Sequence, residues 1–163
     1  MTADRFVLLE TVLKRRLVDT HRHVRALEHA AAGFGDDFDL NLFESAWRSD
    51  DPVELIRAYA VQAGYQNVIN ACVKIAQELA ELQGWTARGV EPTSVEALKV
   101  LHERGVISGA TRGALKEAQE RRSDIQHDDA NVVAAEIHAA AQSVIQHAPL
   151  LLQDVAAELR QQR

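Results

Sequence analysis

A single cysteine, Cys72, means that the chain can close no internal disulfide, a composition that suits a reducing compartment. Three prolines and eight glycines in 163 residues are few for a protein made of short strands and tight turns. Aromatic residues are sparse at 5%. Basic residues are in the minority: 18 Lys and Arg stand against 24 Asp and Glu, a formal net charge of −6. That balance excludes coating of nucleic acid or membrane by bulk attraction, so any anion binding must be local. Nowhere does an apolar run approach the roughly 20 residues that a membrane-spanning helix needs. The opening MTADRFVLLETVLKRR has charges spaced through it and no signal-peptide core, so a cytoplasmic protein is expected.

What remains is the composition of an ordinary globular chain, 47% hydrophobic and 26% charged, rich in Ala, Leu, Glu and Gln. It is long enough to bury a core unaided and short enough for one domain, residues 1–163. The hydrophobic periodicity is helical throughout. Phe6, Leu9, Leu13, Leu17, Val24 and Leu27 predict a helix over residues 3–30, interrupted on its apolar side only by Thr20. AAGFGDDFDLN breaks it, and the acidic segment from Asp36 to Glu54 holds at most a short helix around Leu42 to Trp47. Asp51, Pro52 and Glu54 predict the next start, with a cap, a proline at the first position and a capping box.

Val61, Tyr65, Val68, Cys72, Ile75, Leu79 and Leu82 then follow in steps of 3 and 4, widened by Ile69, Ala76 and Ala80. Cys72 lies on that stripe and reads as core. QGWTARGVEPTS predicts a loop, and Thr93 with Glu96 a capping box that opens a short helix ending near Gly105. Ser108 can cap the following helix. The last segment repeats Val133, Ile137, Ala140, Val144, Ala148, Leu151, Val155 and Leu159, with Pro149 expected to kink or split it. The fold class is therefore all-α, an antiparallel bundle of four or five main helices.

The stretch QERRSDIQHDD, residues 119–129, carries the chemistry. Arg122 and His127 are five apart, which on a continuous helix sets them about 140° from each other. A helix stopping at or just before His127 would let both address one phosphate, and Asp128 and Asp129 can cap a new helix there. A histidine at a helix C-terminus beside carboxylates has its cation stabilised. It can move a proton to or from a 2′-hydroxyl or leaving oxygen while the guanidinium holds the phosphate, with no metal. Without further context, the simpler account is a solvated, charged helix end.

R-x4-H at the end of the third long helix of such a bundle resembles the HEPN superfamily, in particular its toxin branch. The similarity covers roughly residues 51–160, through a capped short helix, a GVIS turn, another helix, the motif and a final long helix. The resemblance implies a homodimer whose two motifs meet in a cleft and cut RNA without metal or cofactor. It also implies a minimal nucleotidyltransferase as antitoxin partner. By position Arg122 would bind phosphate and His127 would be catalytic, supported by Arg121, Ser123, Asp128 and Asp129. Three places depart from the family. Ser123 replaces a frequent Asn, and Asp129 stands where many members carry a modifiable tyrosine. The long helix shows Asn70 and Lys74 where an acidic residue often faces the motif. These departures keep open a non-catalytic binding module of the same fold.

Three other features carry less. His21 and His23 in DTHRH are two residues apart and face opposite sides of a helix, which disfavours a shared metal. Trp47 and Trp85 read as packing at the bundle edge. The acidic segment, Asp36 to Glu54, leaves a third reading open, a helical adaptor for a basic partner.

Overall fold

The computed structural model describes residues 3–86, 92–127 and 134–161, with the side chains of all of these but 3, 4 and 124–127. Among them the chain forms six helices and no strand: α1 (Ala3–Ala32), α2 (Leu40–Trp47), α3 (Pro52–Leu82), α4 (Ser94–Glu103), α5 (Gly109–His127) and α6 (Ala134–Gln161). Four are long and two short, so the expected count of main helices corresponds to α1, α3, α5 and α6. None is long and apolar enough to cross a membrane.

Local signals set most of the ends. Asp39 Oδ1 accepts from Leu42 N at 2.9 Å and starts α2. Thr93 and Glu96 close the reciprocal capping box on α4, with Thr93 N donating to Glu96 Oε2 at 2.8 Å. Ser108 Oγ accepts from Thr111 N at 3.1 Å at the start of α5. At α3 the expectation holds only in part. Asp51 Oδ1 caps Val53 N at 2.9 Å, but the Asp51 amide donates to Ser49 Oγ at 3.1 Å. That bond already satisfies the group Glu54 would have reached. Pro149 does not split the final segment, which is one helix with the proline inside it.

α3 is the axis of the bundle and contacts each of the other five helices. Its stripe of Ala58, Val61, Tyr65, Val68, Cys72, Ile75 and Leu79 is wholly buried, which removes apolar area from water at about 25 cal/mol per Å². α1 packs antiparallel along it through Leu13, Val24, Leu27 and Ala31. A Cβ on Gly64 would lie 3.1 Å from Leu27 Cδ1, so the glycine permits this close approach. Thr20, the polar interruption in α1, is buried and donates its hydroxyl to Arg16 O at 2.7 Å. Phe6, placed by its spacing on the apolar side, is instead 37% exposed.

One charged pair ties α1 to α3. Arg16 Nε and Nη2 both meet the carboxylate of Glu78, at 2.8 Å to Oε2 and Oε1 respectively. The Glu78 side chain is 11% exposed and that of Arg16 36%, so the carboxylate is the more dependent partner. Glu78→Ala frees an arginine that can rehydrate, and the expected cost is about 1–3 kcal/mol. A urea midpoint that does not move would contradict this account of the pair.

The turn after α1 is held by aromatic packing. Phe34, Phe38 and Phe43 meet with centroids 5.3–6.2 Å apart. His138 of α6 lies against Phe38 at 4.2 Å and donates from Nε2 to the Phe38 carbonyl at 2.6 Å. Phe38 has φ 51°, a left-handed conformation that non-glycine residues rarely adopt. The ring contacts and the histidine hydrogen bond hold it there.

Candidate functional site

The candidate site begins with the register of α5. Thr111, Leu115 and Ala118 are buried, each at most 1% exposed, and follow one another in steps of 4 and 3. The next position on that stripe is Arg122. The arginine therefore faces the bundle interior and is half-buried, where a solvated helix end would have turned it outward. Its Nε is buried and has no hydrogen-bond partner. No ion pair to Arg122 is found among the described residues.

The group of α3 within electrostatic reach of it is Tyr65. This side chain is fully buried, and its hydroxyl also lacks a hydrogen-bond partner. Burial raises the phenol above its ordinary pKa, while the Arg122 and Arg121 guanidiniums act in the opposite sense and Glu136 of α6 adds to the rise. The Gln66 amide also acts on the phenol but does not reach hydrogen-bond geometry with it. Tyr65, Arg121, Arg122 and Glu136 thus gather where α3, α5 and α6 come together.

The neighbouring residues divide clearly. Arg121 Nη2 donates to Glu117 Oε1 at 2.7 Å, so its charge is engaged on its own helix. Ser123 Oγ donates to the Gln119 carbonyl at 3.2 Å. Ser123 also lines a shallow depression of about 280 Å³ with Thr93, Ser94, Val95, Gln119 and Glu120. In that depression Gln119 Oε1 is buried without a partner. It is the one other atom of α5 with a buried, unmet hydrogen bond among the described residues.

His127 is the last described residue of α5, and no break separates it from Arg122. On this continuous helix the two positions stand about 140° apart around the axis. His127 follows Ser123 by four and Glu120 by seven, so its backbone position is on the strip of α5 that borders the depression. Asp128 and Asp129, and the junction expected beside them, lie outside the described residues.

Asn70 and Lys74 were expected at the place facing the motif. Asn70 is exposed, and it is Tyr65, more than one turn earlier, that lies within electrostatic reach of Arg122. The sequence pattern shows Tyr65 only as one more member of an apolar stripe. The available signal was its hydroxyl, since a buried tyrosine normally needs a hydrogen-bond partner.

Other reactive groups are accounted for elsewhere. Cys72 is fully buried, and burial pushes its thiol up to about 12, which makes it inert as a nucleophile at neutral pH. His21 and His23 are exposed on α1, and His138 is committed to the Phe38 carbonyl. Among the described residues no cluster of His, Cys, Asp or Glu could hold a metal ion. No family model, no curated protein and no solved structure matches the chain. The class defined by fold and site is thus a six-helix bundle with an arginine set into its core edge.

Proposed function

We propose that the protein is a metal-independent endoribonuclease of HEPN type, a toxin or defence effector that works as a homodimer. The observation that carries this reading is the inward register of Arg122: a guanidinium held at the edge of a core, its Nε unpaired and, among the described residues, no carboxylate bound to it. A cation in that setting is kept out of bulk water and retains donors for a phosphate. His127 would take the 2′-hydroxyl proton as that oxygen attacks phosphorus, and Arg122 would stabilise the charge building on the phosphoryl oxygens. As the bond from phosphorus to the 5′-oxygen breaks, that oxygen would take a proton from a protonated His127, leaving a 2′,3′-cyclic phosphate and a 5′-hydroxyl.

The 140° between the two positions makes a second copy necessary, with the arginine of one protomer serving the histidine of its partner. The same angle favours the second reading, a non-catalytic helical module of this fold. Such a module would bind RNA or nucleotide, or pair with a nucleotidyltransferase, without cutting. In either case Asp129 offers no hydroxyl for nucleotide attachment by such a partner.

Incubation of the purified protein with RNA in EDTA decides between them. Cleavage should fall by about 100-fold or more in Arg122→Ala, and similarly in His127→Ala. Wild-type protein that is dimeric by sedimentation, binds RNA and leaves it intact establishes the module instead.

A further inference from the structure

We propose that Tyr65 is the positioning residue of Arg122: its hydroxyl accepts the Nε hydrogen and fixes which edge of the guanidinium faces outward. The inference deepens the phosphate-binding reading of Arg122 and rests on it for its consequence, but the pairing can be tested without RNA. Two buried polar atoms stand without partners on facing helices, Tyr65 Oη on α3 and Arg122 Nε on α5. One can only donate, and the other can accept. They belong to residues close enough to influence each other electrostatically. Leaving both unsatisfied is costly, whereas one hydrogen bond between them would give each a partner.

The pairing has a consequence for recognition. A guanidinium can offer an anion either its Nε and Nη2 edge or its two Nη groups end-on. With Nε committed to the tyrosine, only the end-on fork remains for two phosphate oxygens. Lysine in place of Arg122 could not reproduce this, because an ammonium has no second edge by which to be held. Gln66 is the rival partner of the hydroxyl, and Glu136 of α6, which also acts on the phenol, is the rival holder of the guanidinium.

The test uses the full chain and three variants, Tyr65→Phe, Glu136→Gln and Arg122→Lys. The Arg122 Nε–H resonance, assigned by its loss in Arg122→Lys, should exchange slowly with water in the wild type. In Tyr65→Phe it should shift and exchange about tenfold faster or more. Tyr65→Phe should also lower Tm, because it deletes a satisfied bond. A hydroxyl that stays unpaired in solution would give the opposite sign, since removing a buried, unsatisfied group stabilises. An unchanged resonance in Tyr65→Phe, or a change seen only in Glu136→Gln, overturns the proposal.

The consequence is read with a fully 2′-O-methylated oligonucleotide that cannot be cleaved. Tyr65→Phe should weaken binding about tenfold at one salt concentration while leaving the slope of log Kd against log salt unchanged. Arg122→Ala should reduce that slope by about 1. A Tyr65→Phe affinity equal to wild type would remove the role in orienting the fork. A wild type that binds no RNA would overturn the phosphate-binding reading itself, while the exchange measurement would still decide the pairing.

Discussion

Alanine in place of Phe43 should lower the free energy of unfolding by about 3–5 kcal/mol. The side chain is wholly buried, and its ring meets Phe34 edge-on at 5.3 Å and Phe38 at 5.5 Å. Its removal leaves a cavity and also takes away ring pairs worth about 0.5–1.5 kcal/mol each beyond their area. The damage would spread from there, because Phe38 holds a left-handed backbone angle that these rings help enforce. Losing that support should loosen the Phe38 carbonyl from His138 and detach α2 from α6. In a domain whose total stability is about 5–15 kcal/mol, such a loss brings the protein near its unfolding threshold. Urea unfolding of Phe43→Ala beside Phe43→Leu measures it, with the leucine variant expected to keep most of the stability. Equal midpoints for Phe43→Ala and wild type would mean that α2 contributes little to the bundle.

The second large effect concerns alkaline pH. Cys72 is fully buried and its thiol is raised from 9.0 to about 12 in the folded protein. Below pH 9 both folded and unfolded chains keep the proton, and nothing is gained or lost. Above it the unfolded thiol ionises first, so the unfolded state binds fewer protons and stability must fall as pH rises. The slope is about 1.4 kcal/mol per pH unit, and the loss approaches about 4 kcal/mol by pH 12. Tyr65, whose phenol burial also raises, adds in the same direction above pH 10. Unfolding midpoints at pH 7.5, 9.5 and 10.5 should therefore drop more steeply for wild type than for Cys72→Ala. Parallel lines for the two proteins would show that the thiol is reached by solvent in the native state.

How far the sequence revealed the molecule depended on the distance over which each feature is decided. The capping box at Thr93 and Glu96 and the Ser108 cap are contained within three or four residues, and they form as their spacing predicts. The Asp51 start was legible only in part, because a serine two residues earlier met the amide that Glu54 would have taken. Pro149 shows a tertiary override of a local rule. Ala148, Leu151, Leu152 and Val155 are all buried around it, and that packing maintains the helix across the missing amide. At the site, the spacing of Arg122 and His127 was readable, but the inward register of the arginine depends on which face of α5 is buried. The partner across the helix pair, Tyr65, is 57 residues away from Arg122 and belongs to a different helix, so no local pattern announces it.

The proline in α6 has one more effect. It supplies no amide hydrogen to the Ile145 carbonyl, so the ladder of hydrogen bonds lacks a rung between two arms of nearly equal length, 134–148 and 149–161. This long helix is thus jointed near its midpoint. Its first arm carries Glu136 and His138, one beside the arginine corner and the other fastened to the acidic turn. A bend at the joint would transmit to both of these contacts at once, so amides just after Pro149 should trade deuterium sooner than those a turn away on either side.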